Sequence, residues 1–352
     1  MKKIFIIAEA GVNHNGDLHR AIAMVDSAAL SGADAVKFQT FKAEHLVTAA
    51  GRKAAYQERT TGPGSQLDML KKLELSERDH FILAQRCRDQ NIEFLSTPFD
   101  PPSLRFLVEN GLVRRIKIPS GELTNGPLLF EAAKMRIPMI LSTGMANTEE
   151  IEMALRVIAK GVSGEDPLTL SFSFFRPTNH DHLTGKAILL HCTTAYPTPM
   201  EEVNLLAMAT MKKQFGLEVG YSDHTQGITI ALAAAALGAT VIEKHFTLDR
   251  TLEGPDHRAS IEPDELTALV KGIRDIEKAL GDGAKHPRAS ERDNARVARK
   301  SLVAATAITR GTLFSTDNLA IKRPGGGRSP MDYWNLLGTP AHRNYQPDEL
   351  ID

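Results

Sequence analysis

Short β-branched runs alternate with amphipathic stretches of helical length along most of the chain, the pattern of repeated strand–helix units around a parallel sheet. Eight such runs stand out: "IFIIAE" from Ile4, "DAVKFQ" from Asp34, "IEFLS" from Ile92, "RIKIP" from Arg115, "PMILS" from Pro138, "AILLHC" from Ala187, "LEVGYS" from Leu217 and "TVIEKH" from Thr240. Eight units in about 280 residues predict an α/β fold of the (β/α)8 TIM-barrel type, typically ~250 residues, ahead of an open doubly wound sheet. Each run ends in, or leads straight into, polar residues, whereas a strand covered on both faces should be apolar for most of its length. In such barrels catalytic groups sit at the C-terminal strand ends, so polarity collected at eight such ends describes one basin.

Two connections are long. Residues 40–76 contain "TTGPGSQ" and read as a lid or substrate loop with Gly62 and Gly64 as turn formers. Residues 161–186 interrupt the link from the fifth unit to the sixth strand, and their "LTLSFSFF" alternates like an added hairpin. After Leu280 the stretch "GDGAKHPRASERDN" is rich in charge, Gly and Pro and reads as a linker. The expected domains are a catalytic barrel over 1–284, a linker over 285–297 and a small C-terminal domain over 298–352. At about 55 residues that last piece is marginal as an independent fold and is expected to lean on the barrel or on another subunit.

Composition narrows the class of partner. The formal net charge is -1, from 42 basic and 43 acidic residues, with no long run of either sign to engage nucleic acid or a membrane surface. A small-molecule substrate is the expectation. Cys87 and Cys192 match neither a disulfide framework nor a metal knuckle, which suits a reducing cytoplasm. Glu9 breaks the apolar start before a signal-peptide core forms, and the run from Ile228 is shorter than the ~20 residues a membrane span needs.

His224 ends the seventh run and His245 the eighth, so a barrel makes them neighbours, a geometry that suits a divalent metal with coordination sites left open. Asp223 and Glu243 nearby read equally as ion-pair residues. Lys37 and Gln39 share a strand face by the period of two, as do Glu243 and His245, which turns Lys244 away from the axis. An inward lysine such as Lys37, or one at a strand end such as Lys117, is costly unless it meets an anion. With the hydroxyls of Thr97, Ser120, Ser142 and Ser222 these lysines would form a phosphate and carboxylate cradle; any single serine reads more readily as a helix cap, and the convergence of all of them at one rim carries the inference. Glu9 and Glu122 reach the same rim, as general bases or as plain ion-pair partners.

The ordered stretches "IAEAGVNHNGD", "DAVKFQTFKAE", "FLSTPFD", "KIPSGE", "ILSTGMA", "LLHCTTAYPTP", "VGYSDHTQGI", "VIEKHFTLD", "GPDHRASIEPDEL" and "LAIKRPGGG" resemble the sialic-acid (nonulosonate) synthases over nearly the whole chain. The resemblance implies a metal-dependent condensation of phosphoenolpyruvate with an N-acylated mannose-type sugar in its aldehyde form, giving a nine-carbon 2-keto acid and phosphate. It implies His224 and His245 as ligands of a divalent ion, Mn2+ ahead of Mg2+ or Co2+, with Glu9 beside it. Lys37, Thr97, Lys117, Ser120, Ser142 and Ser222 match positions that hold phosphoenolpyruvate; Gln39, Glu122, Tyr196 and Asp256 match positions around the sugar. By the same resemblance the catalytic set is Glu9, Glu122, His224 and His245. The C-terminal domain resembles the family's antifreeze-protein-like (SAF) module, and Arg323 matches an arginine that crosses to a partner's site, which implies a domain-swapped homodimer. Two features depart from the pattern: the long 161–186 insertion, and Thr194 where some members have Asn.

N-acetylmannosamine, the acceptor of N-acetylneuraminate synthase, is set ahead of the 2,4-diacetamido-trideoxy sugar of the diacetyllegionaminic acid synthases, which "IAEAGVNHNGD" and "RSPMDYWNLLG" also resemble. A metal-free Schiff-base aldolase using Lys117 or Lys244 is the alternative of another enzyme class. A carbohydrate-binding or assembly module on an inactive barrel is the non-enzymatic one.

Overall fold

A computed structural model describes residues 3–165 and 180–352, so the expected "LTLSFSFF" hairpin lies outside the described residues. The chain divides into two compact units, Met1–Gly281 and Asp282–Asp352.

All eight predicted runs of the first unit form strands: β1 Phe5–Gly11, β2 Ala35–Thr40, β3 Glu93–Pro98, β4 Ile116–Ile118, β5 Met139–Ser142, β6 Ala187–His191, β7 Glu218–Asp223 and β8 Val241–His245. They pair in parallel in the order β3-β2-β1-β8-β7-β6-β5-β4, with β8 returning to β1, as a nearly closed barrel with helices around it. The periodicity that built the strands also divides the core. Ile7, Ala35, Leu95, Ile140, Leu190 and Val241 point inward and fill the barrel's lower interior, while alternate residues such as Ile6, Val36, Phe38, Leu189 and Ile242 face the helices in a second, larger core.

The helices start where local chemistry directs. Ser76 and Asp79 form a capping box at Glu77–Asp89, and Asn147 and Glu150 form another at Thr148–Ser163, each cap contributing about 1 kcal/mol. That second helix runs to Ser163 and ends on Gly164 at φ 75°, so the insertion read as 161–186 begins three residues later than its sequence suggested. Its amphipathic period simply continues through "GVS". Segment 40–76 is more ordered than a plain loop: it carries helices Ala43–Leu46, Ala55–Thr61 and Gln66–Lys71, with Gly62 (φ 70°) and Gly64 (φ 135°) turning the chain between the last two.

The second unit holds the antiparallel pair β9 Ser301–Ala304 and β10 Leu319–Lys322 over a small core of Leu302, Ile308, Phe314, Leu319, Leu336 and Tyr345. Part of the expected linker is helical, at Arg292–Ala298; its charge density masked good helix formers. Among the described residues no helix is long and apolar enough to cross a membrane.

Candidate active site

The apolar layer of the barrel stops one step short of the strand ends, and the next inward position on several strands is charged. In β1 Ile7 is followed by Glu9, in β2 Ala35 by Lys37, and in β8 Val241 by Glu243 and then His245. Register completes the arrangement: Glu9 pairs across to Lys37 on one side and to His245 on the other, and Ser222 lies opposite Glu243. Lys117 of β4 reaches in from the far wall and donates to Glu243 Oε1 at 3.1 Å; Ser222 Oγ donates to the same oxygen at 2.9 Å. Lys37 forms a close ion pair with Glu9, donates to Thr97 Oγ1 at 2.9 Å and lies 3.6 Å from Glu243 Oε2.

Two lysines and two carboxylates thus share one buried floor, and they titrate apart. Burial, reinforced by the charge of Glu243, pushes Glu9 up to about 7 despite Lys37. Glu243 feels the same burial, but Lys117 and Lys37 outweigh it and hold its carboxyl at about 2. Burial disfavours the charge of Lys37, yet Glu243 and Glu9 more than offset this and raise it; at Lys117 burial wins, aided by Lys37, and the ammonium is weakened.

Above the floor lies a cavity of about 380 Å3. Every residue that the sequence singled out for the site lines it except Arg323: Glu9, Lys37, Gln39, Thr97, Lys117, Ser120, Glu122, Ser142, Tyr196, Ser222, His224, His245 and Asp256. Arg323 belongs to the second unit, exposed just after β10. Ser142 Oγ is buried with no hydrogen-bond partner, a hydroxyl held in reserve toward the cavity. Ser120 Oγ accepts from Gly144 N at 3.0 Å, and Asn125 Nδ2 fixes Glu122 at 2.6 Å. Thr194 lines the cavity too. Gly11 ends β1 at φ 51°, and a Cβ there would fall 3.1 Å from Glu9 Oε1 and 3.6 Å from the His245 ring, so glycine keeps the basin open. Lys244 faces away as alternation requires, donating to Asp223 Oδ2 at 2.8 Å and to the Thr225 carbonyl at 2.5 Å outside the basin.

The histidines sit at the mouth with ring centroids 5.4 Å apart. His224 Nδ1 is 2.7 Å from the Thr193 carbonyl; a carbonyl only accepts, so Nδ1 carries the proton and Nε2 keeps its lone pair. His245 Nδ1 is buried without a hydrogen-bond partner, with Asp256 Oδ2 at 3.9 Å. Burial lowers both imidazole pKa values, that of His245 further because His224 is beside it, so both rings are neutral. Two neutral, desolvated imidazoles, one with an orphaned nitrogen, fit a divalent ion whose remaining positions are filled from solution. Among the described residues no group of three or more His, Cys, Asp or Glu forms a fuller ligand set.

Tyr196 lies over His224 (centroids 4.3 Å) and meets His245 edge-on at 5.8 Å; Tyr56, from the helix Ala55–Thr61, stacks on Tyr196 at 5.2 Å. Sequence reasoning marked the 40–76 segment but not Tyr56, Gln57, Gln66 or Met69, which it brings to the cavity wall. Helices this short carry too few turns for their period to reveal an inward face.

Asp256 provides a pH test. Burial raises its carboxyl to about 6, so between its unfolded value of ~3.9 and 6 the folded state binds more protons and stability falls as pH rises. Asp256→Asn is expected to remove this decline, gaining about 2–3 kcal/mol over wild type above pH 6 and little at pH 4. Urea melts in EDTA at pH 4 and 8 measure it; an equal difference at both would show that the carboxyl is not strained.

Comparison with known proteins agrees with this geometry. The chain is 52% identical over 352 residues to the N,N'-diacetyllegionaminic acid synthase of Campylobacter jejuni, covering 100% of this chain and 99% of that protein. It is 45% identical over 341 residues to the Legionella pneumophila protein of the same name, covering 97% and 91%. The crystal structure of the N-acetylneuraminic acid (sialic acid) synthetase of Leptospira borgpetersenii superposes with a TM-score of 0.69 at 38% identity, covering 83% of this chain and 90% of that one. The SAF domain model matches residues 299–352 and the NeuB family model residues 24–285. The protein belongs to the NeuB family.

Proposed function

We propose that the protein condenses phosphoenolpyruvate with 2,4-diacetamido-2,4,6-trideoxymannose, in its open-chain aldehyde form, to give N,N'-diacetyllegionaminate and phosphate. The observation that carries this reading is the near end-to-end likeness to two N,N'-diacetyllegionaminic acid synthases, greater than that to the N-acetylneuraminic acid synthetase. It reverses the order of acceptors expected from the motifs, which resemble both kinds of synthase. A Schiff-base route through Lys244 has no geometric support, since that amine is ion-paired outside the basin.

The reaction joins C3 of the enol phosphate to the aldehyde carbon, adds water at C2 and breaks the C2–O bond to phosphate. Lys37 and Lys117 balance the phosphate and carboxylate charges, and Thr97, Ser120, Ser142 and Ser222 supply hydroxyls that orient them. His224 and His245 would hold a divalent ion, Mn2+ ahead of Mg2+ or Co2+, which when bound supplies Lewis-acid polarisation of the aldehyde oxygen. Glu9, held near neutrality in its titration, takes the proton released by the added water and passes it to the aldehyde oxygen, which becomes a hydroxyl, while the second water proton, freed as C2 becomes a ketone, leaves with the phosphate. Glu243 stays ionised and keeps both ammonium groups aimed inward. Gln39, Glu122, Tyr196 and Asp256 take the sugar hydroxyls and amide.

The same proposal includes a cytoplasmic homodimer in which the SAF domain of one copy brings Arg323 to the N-acyl group in the other's cavity. The SAF match, the exposure of Arg323 and two free cysteines support it. Phosphate release from phosphoenolpyruvate with Mn2+ is expected with the 2,4-diacetamido sugar, at roughly 10²-fold the kcat/KM seen with N-acetylmannosamine, and to stop with EDTA. No release with either sugar, or borohydride trapping of a lysine adduct with pyruvate, would sink the assignment.

A further inference from the structure

The cavity is chemically two-sided. Its floor is charged, but the wall supplied by the 40–76 segment is not: Leu46, Val47, Met69 and Leu70 line it together with the amides of Gln57 and Gln66. The charged residues of the same segment, such as Arg52, Glu58, Arg59 and Asp68, are exposed and stay out of the cavity. The apolar residues form a cluster of their own, in which Met69 packs with Val12, Phe41 and Leu73 while Leu46 and Leu70 lie against it, separate from both barrel cores. Within this wall the two amides are fixed to each other. Gln57 Oε1 accepts from Ala54 N at 2.9 Å and from Gln66 Nε2 at 3.4 Å, and the Gln57 side chain also donates to Tyr56, which leaves one N–H of the Gln57 amide as a donor and Gln66 Oε1 as an acceptor.

An acetamido group presents one N–H, one carbonyl and a methyl, and a 6-deoxy sugar ends in a methyl; a hydroxyl at C6 would be set against apolar surface, and one at C4 would be too short to meet both amides. The reacting aldehyde carbon must lie by the charged floor, so C4 to C6 of an extended acceptor fall at the opposite, lid side of the cavity. We infer that this wall selects the acceptor: the Gln57–Gln66 amide pair reads an acylamino group at C4, and Leu70 with Met69 reads the methyl at C6. The inference rests on the acceptor reading above and adds the residues that enforce it, none of them among the charged residues of the floor.

The test compares kcat/KM for 2,4-diacetamido-2,4,6-trideoxymannose, 2-acetamido-2,6-dideoxymannose and N-acetylmannosamine in the full-length wild type, Gln66→Leu and Leu70→Asn. Gln66→Leu is expected to lower the diacetamido value about tenfold while leaving the two 4-hydroxy sugars within about twofold. Leu70→Asn is expected to cut the preference for both 6-deoxy sugars over N-acetylmannosamine by about tenfold. Ratios unchanged in both variants, or an equal fall for all three sugars, would overturn the inference and leave the function standing. A wild type that uses N-acetylmannosamine but not the diacetamido sugar would instead overturn the acceptor reading, and this wall's role with it.

Discussion

Replacing His245 with asparagine is expected to lower turnover by roughly 10³-fold or more, the scale on which a lost Lewis acid or oxyanion donor acts, and to weaken Mn2+ binding in titration calorimetry. The fold should tolerate the change. His245 ends β8, and its Nδ1 has no hydrogen-bond partner to lose, so the melting temperature in EDTA should move by no more than about 4 °C. His224→Asn makes the comparison sharper, because that ring also gives up its bond to the Thr193 carbonyl. Turnover of the His245 variant with an unaltered metal requirement would remove this residue from the metal site.

Glu243→Gln should have the largest effect on stability. The carboxylate is the shared counter-charge of Lys37 and Lys117, with all three side chains at most 4% exposed, and breaking such a buried pair costs about 3–5 kcal/mol. Its folded pKa of about 2 lies below the ordinary carboxylate value, so its contribution is fully present above about pH 4.5 and is lost as pH falls through 2. The gap between wild type and variant should therefore close toward pH 2, and it should narrow toward pH 7 and above, where the variant's Glu9, freed of the Glu243 charge, ionises more readily than in wild type. Inorganic phosphate should restore part of the variant's stability at pH 7, since an anion placed between the lysines does what the carboxylate did. Denaturant melts with and without phosphate decide it; a gap indifferent to phosphate would mean that the two lysines do not form an anion site.

Strand alternation was enough to read the barrel and its inward charged layer, because a period of two survives in runs as short as β4, Ile116–Ile118. It put Lys37, Glu243 and His245 on one side and Lys244 on the other, as the structure has them. What it could not supply was the balance of charge. In sequence Glu9 and Glu243 read as ion-pair residues with no partner assigned, and only their register beside Lys37 and Lys117 shows that the floor is already compensated. The lid wall was equally hidden: Gln57 and Gln66 are ordinary polar residues until two short helices bring their amides within 3.4 Å. The helix at Arg292–Ala298 was missed because charge and an upstream proline mark linkers and helix starts alike.

Tyr56, Tyr196, His224 and His245 form a continuous row of ring contacts from the helix Ala55–Thr61 to the end of β8. The helix Ala55–Thr61 places Tyr56 over Tyr196, and Tyr196 in turn covers one face of His224. The segment that supplies the apolar cavity wall thus also supplies, through Tyr56, the outermost ring over the imidazoles, so a change that removes the Tyr56 ring alters the surroundings of both at once.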